Sequence, residues 1–283
     1  MRLASSNSWC PWNRLTSTAV IRSSEVTRRA LGVYSIPKRA KSRSLRHRPP
    51  WLPAVPSAAP HNVVHAAAYL FDDWDVAKAT NIVGVENLAE EARAAGVQRF
   101  VHISTLSVFG DPTDGEFDES SPMTVDYPHP YVSTKAQSER ILHAAMDKGL
   151  GCVILRPGVI CAEHNSHWGD RAIAQMREVE TFASMHPDDM VPWVHTENLA
   201  EMCLIACTHP QAGNQIYHAI DGNYRASEFL IKIARAMGKT VQPPDRAPQR
   251  AIYSCDKIRV ELGYRRVRRF DETMNALEIQ AQV

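Results

Sequence analysis

The chain has 283 residues, 44% of them hydrophobic and 22% charged, with a formal net charge of +1 at neutral pH. That composition supports a sizeable core in one large or two modest domains. No run of about 18 apolar residues occurs, so no membrane-spanning helix is expected. The six cysteines lack metal-site spacing and form no disulfide framework, which points to a reducing compartment.

The small net charge conceals two unlike parts. Residues 1–60 carry eleven Lys/Arg against the single acid Glu25, ten serines and seven of the eighteen prolines. They have a net charge of +10 and the rest of the chain −9. Such a segment reads as a disordered basic tail, as a transit peptide, or as a misassigned or out-of-frame start joined near Pro60 to an incomplete domain. The third reading is preferred, because of what is missing downstream. A cytoplasmic location is expected, with organelle targeting as the alternative if the segment is a transit peptide. A basic tail alone is weak evidence for nucleic-acid binding, and neither a nucleic-acid nor a membrane partner is expected.

From His61 onward strands and helices alternate. "NVVHAAA" (Asn62–Ala68) reads as a buried strand, and "DVAKATNIVGVENLAEEARAAG" as one long helix stopped at Gly96. "RFVHIST" (Arg99–Thr105) is the next strand, followed by a loop rich in Gly, Pro, Asp and Ser. A helix from about Tyr131 to Lys148 ends at Gly149, and "CVILRPG" (Cys152–Gly158) is again a buried strand. This alternation argues for an open parallel sheet covered on both faces. Further on, Thr196, Ser227 and Asp256 are candidate helix caps. These helices and the strand in "GNQIYHAID" are expected to form a smaller lobe against the sheet edge. Cys203 and Cys207, one helical turn apart, are expected to pack. Asp188 and Asp189 read as a solvated loop, and no metal site is expected.

"YPHPYVSTKAQSER" carries the chemistry. Residues four apart share a helix face, so Tyr131 and Lys135 project side by side. A phenol loses its proton near pH 10; a neighbouring ammonium favours the phenolate and makes the tyrosine an acid/base near neutrality. Upstream, "VHISTLSVFG" brings hydroxyls to the C-terminal end of a strand, the end that faces the ligand crevice in open α/β sheets. His65 and His102 lie within apolar strands and read as satisfied interior histidines; His195 reads as a loop-positioning residue.

Taken together, "NVVHAAA", "TNIVGVENLAEEARAAGVQRFVHIST", "YVSTK", "LRPGVI", "VPWVHTENLAEM" and "DKIRVELGYR" resemble the extended short-chain dehydrogenase/reductases, specifically the NAD-dependent epimerase/dehydratase group, in order over about residues 61–270. The resemblance implies an α/β fold: a Rossmann-like parallel sheet, N-terminally incomplete, with a smaller C-terminal α+β substrate lobe. Residues 61–160 would be the partial dinucleotide-binding domain and 161–283 mainly the substrate lobe. It implies Tyr131 as general acid/base, Lys135 as its pKa-lowering and ribose-holding partner, and Thr105, five residues before Gly110, as the hydroxyl partner. Ala66, Ala67, Ala68, Asn81, Ser104 and Pro157 would line the cofactor, NAD or NADP. His164, Asn165, Trp168 and Trp193 would meet the substrate, although "CAEHNSHWGD" departs from the family's pattern at this point.

The implied activity is hydride transfer at a carbinol carbon of a nucleotide sugar or similar alcohol. A hydroxysteroid-dehydrogenase or dihydroflavonol-reductase-like enzyme, toward which "VPWVHTENLA" leans, and a silent remnant lacking cofactor binding are the alternatives. A homodimer through helices 76–95 and 131–148 is expected. Residues 1–60 hold one glycine, Gly32, so the G-x-x-G-x-x-G turn that cradles a pyrophosphate cannot be built from them.

Overall fold

Side-chain alternation sets the architecture of residues 61–283, which the computed structural model describes; the readings for residues 1–60 lie outside the described residues. The strands are β1 (Asn62–His65), β2 (Arg99–Ile103), β3 (Glu116–Phe117), β4 (Cys152–Pro157), β5 (Val159–Cys161) and β6 (Thr181–Phe182). They continue with β7 (Met190–His195), β8 (Gln215–Ala219), β9 (Gly222–Arg225), β10 (Thr240–Val241) and β11 (Ile252–Tyr253). The main sheet has the order β1-β2-β4-β8, with every pairing parallel. Successive residues of a strand face opposite sides. Val63, Phe100, Cys152 and Ile154 therefore pack one way, and Val64, Val101, Val153 and Leu155 the other. Both faces are covered, which is why β4 is buried along its whole length.

On the first face lie α1 (Trp74–Ala77), a π-helical turn (Lys78–Val83), α2 (Gly84–Ala94) and α3 (Pro130–Asp147). The sequence reads as a single helix over 75–95, stopped at Gly96. The structure inserts the π turn because buried Asn81 must reach sideways to the chain after β1, and a 3.6-residue period cannot show such a turn. Helix α3 starts on Pro130, whose fixed φ suits the first helical turn, and is capped by His129 Nδ1, which accepts from the Tyr131 amide at 3.2 Å. It stops at Gly149, where φ is 91°.

The opposite face is covered by α5 (Thr196–Thr208) and α7 (Asp256–Leu262). Cys203 and Cys207 pack there, as expected. The second unit has β5 and β9 flanking β7, with α4 (Asp170–Met176), α6 (Leu230–Ala236) and α8 (Phe270–Gln282) closing a core around Trp193. Short parallel pairs β6–β10 and β3–β11 extend the periphery. No described helix is long and apolar enough to cross a membrane.

Several local expectations are corrected. The strand in "GNQIYHAID" joins the main sheet as β8 instead of the smaller lobe, because its register against β4 buries Tyr217, His218 and Ala219. Residues 161–283 thus contribute α5, β8 and α7 to the first unit. Helix α5 is capped by His195, whose Nδ1 accepts from the Glu197 amide at 3.2 Å, and not by Thr196. Helix α7 begins after Cys255, and Ser227 sits inside a short 3-10 turn before α6. Asp189 is no solvated residue: at 5% exposure it accepts from both Nη atoms of Arg246 and from the amides of His186 and Gln249.

Two polar fastenings join the layers. Glu139 of α3 and Arg156 of β4 form a fully buried ion pair, with three N–H···O contacts of 2.7–3.1 Å. Asp221, just beyond β8, accepts from the His195 amide at 2.8 Å and from Asn198 Nδ2 at 2.9 Å, binding the seam between the units. Where β4 passes into β5, a Cβ on Gly158 would strike the carbonyl of Pro192 on β7, so only glycine allows that approach. Removing one member of a buried pair leaves an uncompensated charge. Glu139→Gln should therefore lower the unfolding free energy by about 3–5 kcal/mol, measured from urea midpoints; a loss under about 1 kcal/mol would show that the pair is not a structural fastening.

Candidate active site

The C-terminal ends of β1, β2 and β4 and the first turns of α3 meet at one rim. Strand β2 delivers Ser104 and Thr105, α3 delivers Tyr131 and Lys135, and β4 ends on Pro157. Ala66–Ala68 follow β1 as irregular chain, with Ala67 buried and Ala66 exposed. Thr105 caps a 3-10 turn (Leu106–Phe109), its hydroxyl accepting from the Ser107 amide. Burial holds the Tyr131 phenol above its ordinary pKa, with the nearby Thr105 hydroxyl pulling weakly the other way.

Lys135 is 1% exposed. Its Nζ donates to the Ile103 carbonyl at 2.7 Å and lies 2.9 Å from His102 Nε2. Burial pulls its pKa down to about 7, against an opposing pull from Glu139. Lys135 is turned under the end of β2, where its Nζ is held by the Ile103 carbonyl. His102 Nδ1 in turn lies 3.0 Å from His65 Nδ1. Burial and the neighbouring lysine lower both imidazoles, His65 to about 3, so both rings are neutral.

Thr105, Tyr131 and Lys135 come together. Asn81 stands behind them as a positioning residue: its side chain accepts from Tyr69 N, donates to Tyr69 O, and reaches Thr134 of α3 at 2.9 Å. Ser104 donates to Glu139, which separates it in role from Thr105. Trp193 is fully buried, packed on Phe270 and Tyr224 in the core of the second unit, so it does not line an open substrate surface. Trp168 is half-buried against the same core, while His164 and Asn165 are exposed on the loop before α4. Sequence reasoning missed Glu139 and Arg156 altogether. An arginine inside an apolar strand was the available signal, because such a charge requires a buried acid.

The residues suit the nicotinamide end of a dinucleotide. An ammonium has three protons; the Ile103 carbonyl and His102 take two, leaving one for a ribose hydroxyl. Ala66–Ala68 add only methyl groups and backbone. A glycine-rich pyrophosphate turn is not found among the described residues.

A parallel sheet with a Tyr-x-x-x-Lys helix laid on its rim defines the short-chain dehydrogenase/reductase class. The model of the NAD dependent epimerase/dehydratase family matches residues 20–219, and the chain belongs to that family. It is 28% identical over 224 residues to a dTDP-glucose 4,6-dehydratase of Streptomyces niveus, covering 71% of this chain and 64% of that protein. It is 29% identical over 197 residues to a UDP-glucose 4-epimerase of Vibrio cholerae, covering 62% and 57%. Each match spans less than two thirds of the relative's length. Among solved structures, a dTDP-glucose 4,6-dehydratase of Streptomyces venezuelae crystallised with NAD superposes with a TM-score of 0.65 at 26% identity, covering 77% of this chain and 72% of the other.

Lys135 also makes stability depend on pH. Its folded pKa, about 7, lies below the ordinary 10.5. Above pH 7 the unfolded chain therefore keeps a proton that the folded chain has released, and this group's contribution to stability rises with pH. Urea unfolding of the parent and of Lys135→Met at pH 7, 8 and 9 should show the parent gaining relative to the variant. A constant difference would mean that Lys135 keeps an ordinary pKa in the fold.

Proposed function

We propose that this chain is an NAD-dependent enzyme that transforms a carbinol carbon of a nucleotide sugar. The observation that carries the reading is the placing of Tyr131 near Thr105 and one helical turn from buried Lys135, at the C-terminal rim of a parallel sheet. The nucleotide-sugar class is supported by relatives named as dehydratases and epimerases of dTDP- and UDP-glucose. When bound, NAD supplies a hydride acceptor and donor at that carbon.

Lys135 and Ala66–Ala68 hold the nicotinamide end, and Pro157 closes β4 beside it. Tyr131, protonated at neutral pH because of burial, donates to a substrate carbonyl oxygen, or accepts the hydroxyl proton once ionised. Thr105 orients the same oxygen. Asn81 keeps the chain after β1 and helix α3 in fixed relation, so the reacting groups stay aligned. A hydroxysteroid-dehydrogenase-like substrate is the second reading, favoured by "VPWVHTENLA", which places Trp193 and His195 in β7.

Titrating NADH fluorescence with the full chain should saturate below about 100 μM. With dTDP-glucose or UDP-glucose and NAD as probes, Tyr131→Phe should lower kcat by about 10²–10⁴ while leaving NADH affinity unchanged. No NADH saturation would leave a silent family member, and parent-rate turnover by Tyr131→Phe would remove the proton-transfer assignment. The homodimer expected through residues 76–95 and 131–148 belongs to the same proposal. The outer groove between α2 and α3, lined by Glu86, Glu90, Arg93, Ile141 and Lys148, would form its contact. Sedimentation at micromolar concentration should give twice the monomer mass, and a monomer would exclude it.

A further inference from the structure

Lys135, His102 and His65 are in hydrogen-bond contact end to end, yet binding a cofactor requires neither imidazole. The chain starts at Lys135 Nζ, passes to His102 Nε2 at 2.9 Å, crosses that ring, and passes from His102 Nδ1 to His65 Nδ1 at 3.0 Å. The three residues are at most 4% exposed. They come from α3, β2 and β1, three elements fixed by the pairing of β1 with β2 and by the seating of α3 on the sheet. His65 stacks on His102 at 5.1 Å between ring centroids and on Phe100 at 6.1 Å, which restrains its ring. Other polar neighbours are the Ile103 carbonyl, which accepts from Lys135 Nζ, Glu139, which acts on Lys135 through its charge, and Ser138, whose hydroxyl donates to the Lys135 carbonyl and lies 3.4 Å from His102 Nε2.

The chemistry of these groups dictates one arrangement of hydrogens. A charged lysine only donates, so His102 Nε2 accepts from it. A neutral His102 then carries its proton on Nδ1 and donates to His65 Nδ1, leaving the His65 proton on Nε2. Each link has a donor facing an acceptor.

We propose that Lys135, His102 and His65 form a buried proton relay that exchanges protons between the Tyr131–Lys135 end of the crevice and the β1 end. In one passage the Lys135 ammonium gives a proton to His102 Nε2, the His102 Nδ1 proton moves to His65 Nδ1, and the His65 Nε2 proton leaves to water. The relay as a whole loses one proton, and the positive charge of Lys135 leaves with it. Lys135 becomes an amine that accepts from His102 Nε2–H, and both rings have changed tautomer. A second passage must run backward before the chain can carry again. Such a relay suits a reaction that takes a proton from its substrate and later returns one. The hydrogen bonds of His102 run to Lys135, His65 and Ser138 and none to Tyr131, so the two imidazoles act through Lys135.

The relay rests on the reading of Tyr131 as the proton-transfer group, and three measurements separate the two. First, 15N-histidine NMR of the full chain should show neutral rings between pH 6 and 8, with His102 protonated on Nδ1 and His65 on Nε2 at pH 6, where Lys135 is charged. A doubly protonated ring, or His102 protonated on Nε2 at the low-pH end, overturns the relay. Second, exchange of the His102 ring proton into D2O should slow by about tenfold or more in His65→Phe; an unchanged rate overturns it. Third, His102→Gln offers Lys135 a carbonyl and His65 an amide N–H, so it keeps both hydrogen bonds but cannot pass a proton from one end to the other. With NAD and dTDP-glucose as probes, it should retain the parent's NADH affinity and urea midpoint while kcat falls about tenfold or more. Parent-rate turnover by His102→Gln, with Tyr131→Phe inactive, overturns the relay and leaves the proposed function standing. Parent-rate turnover by Tyr131→Phe overturns the function, and the exchange rate then decides whether the buried chain conducts.

Discussion

A lysine amine without access to water organises this site. Removing an ammonium from solvent costs several kcal/mol even after relaxation, so its surroundings must accept every proton they can. The Ile103 carbonyl at the end of β2 and the His102 imidazole do this, and each is available because the sheet ends where it does. The seating of α3, the length of β2 and the neutrality of two histidines are linked through that one nitrogen. One turn further along α3, Glu139 is buried as well, and it is satisfied from the sheet side by Arg156 and Ser104. The helix therefore presents Tyr131, Lys135 and Glu139 on one face, each matched to a different partner beneath it.

This division of partners gives Tyr131 and Lys135 separate electrostatic roles. Burial keeps the phenol protonated, which makes it a ready donor to a developing alkoxide and a base only after ionisation. The lysine, at about 7, can exist in either charge state under ordinary conditions. Two groups whose proton affinities are set so far apart can hold one proton at different stages of a reaction without competing for it.

Much of the sheet was legible because its strands are short apolar runs punctuated by Gly and Pro, and both faces of the fold demand such runs. The Tyr131–Lys135 pair was legible because spacing on a helix is fixed by geometry. Three features were not. The π turn around Asn81 adds no compositional mark. The histidine caps at 129 and 195 use ring nitrogens where hydroxyls are the usual signal. The return of β8 to the main sheet depends on register against β4, which is settled by contacts distant in sequence. His65 and His102 were correctly read as interior residues, but their alignment with Lys135 joins three separate elements and has no linear trace. Trp193 shows the opposite case: a large aromatic in a family-like segment suggests a ligand wall, yet it fills a core.

The route of the chain between the two units constrains how a ligand enters. The backbone leaves the main sheet at Gly158, returns at His195, leaves again at Asp221, returns for α7 and departs once more for α8. Asp221 ties several of these strands of connection to one carboxylate, with Asn198 also reaching the Val267 carbonyl. A jaw hinged on one connector could swing wide; a body sewn along several parallel threads can only slide. Ligand admission would then come from small rearrangements of the loops at the crevice mouth, while the two halves travel together.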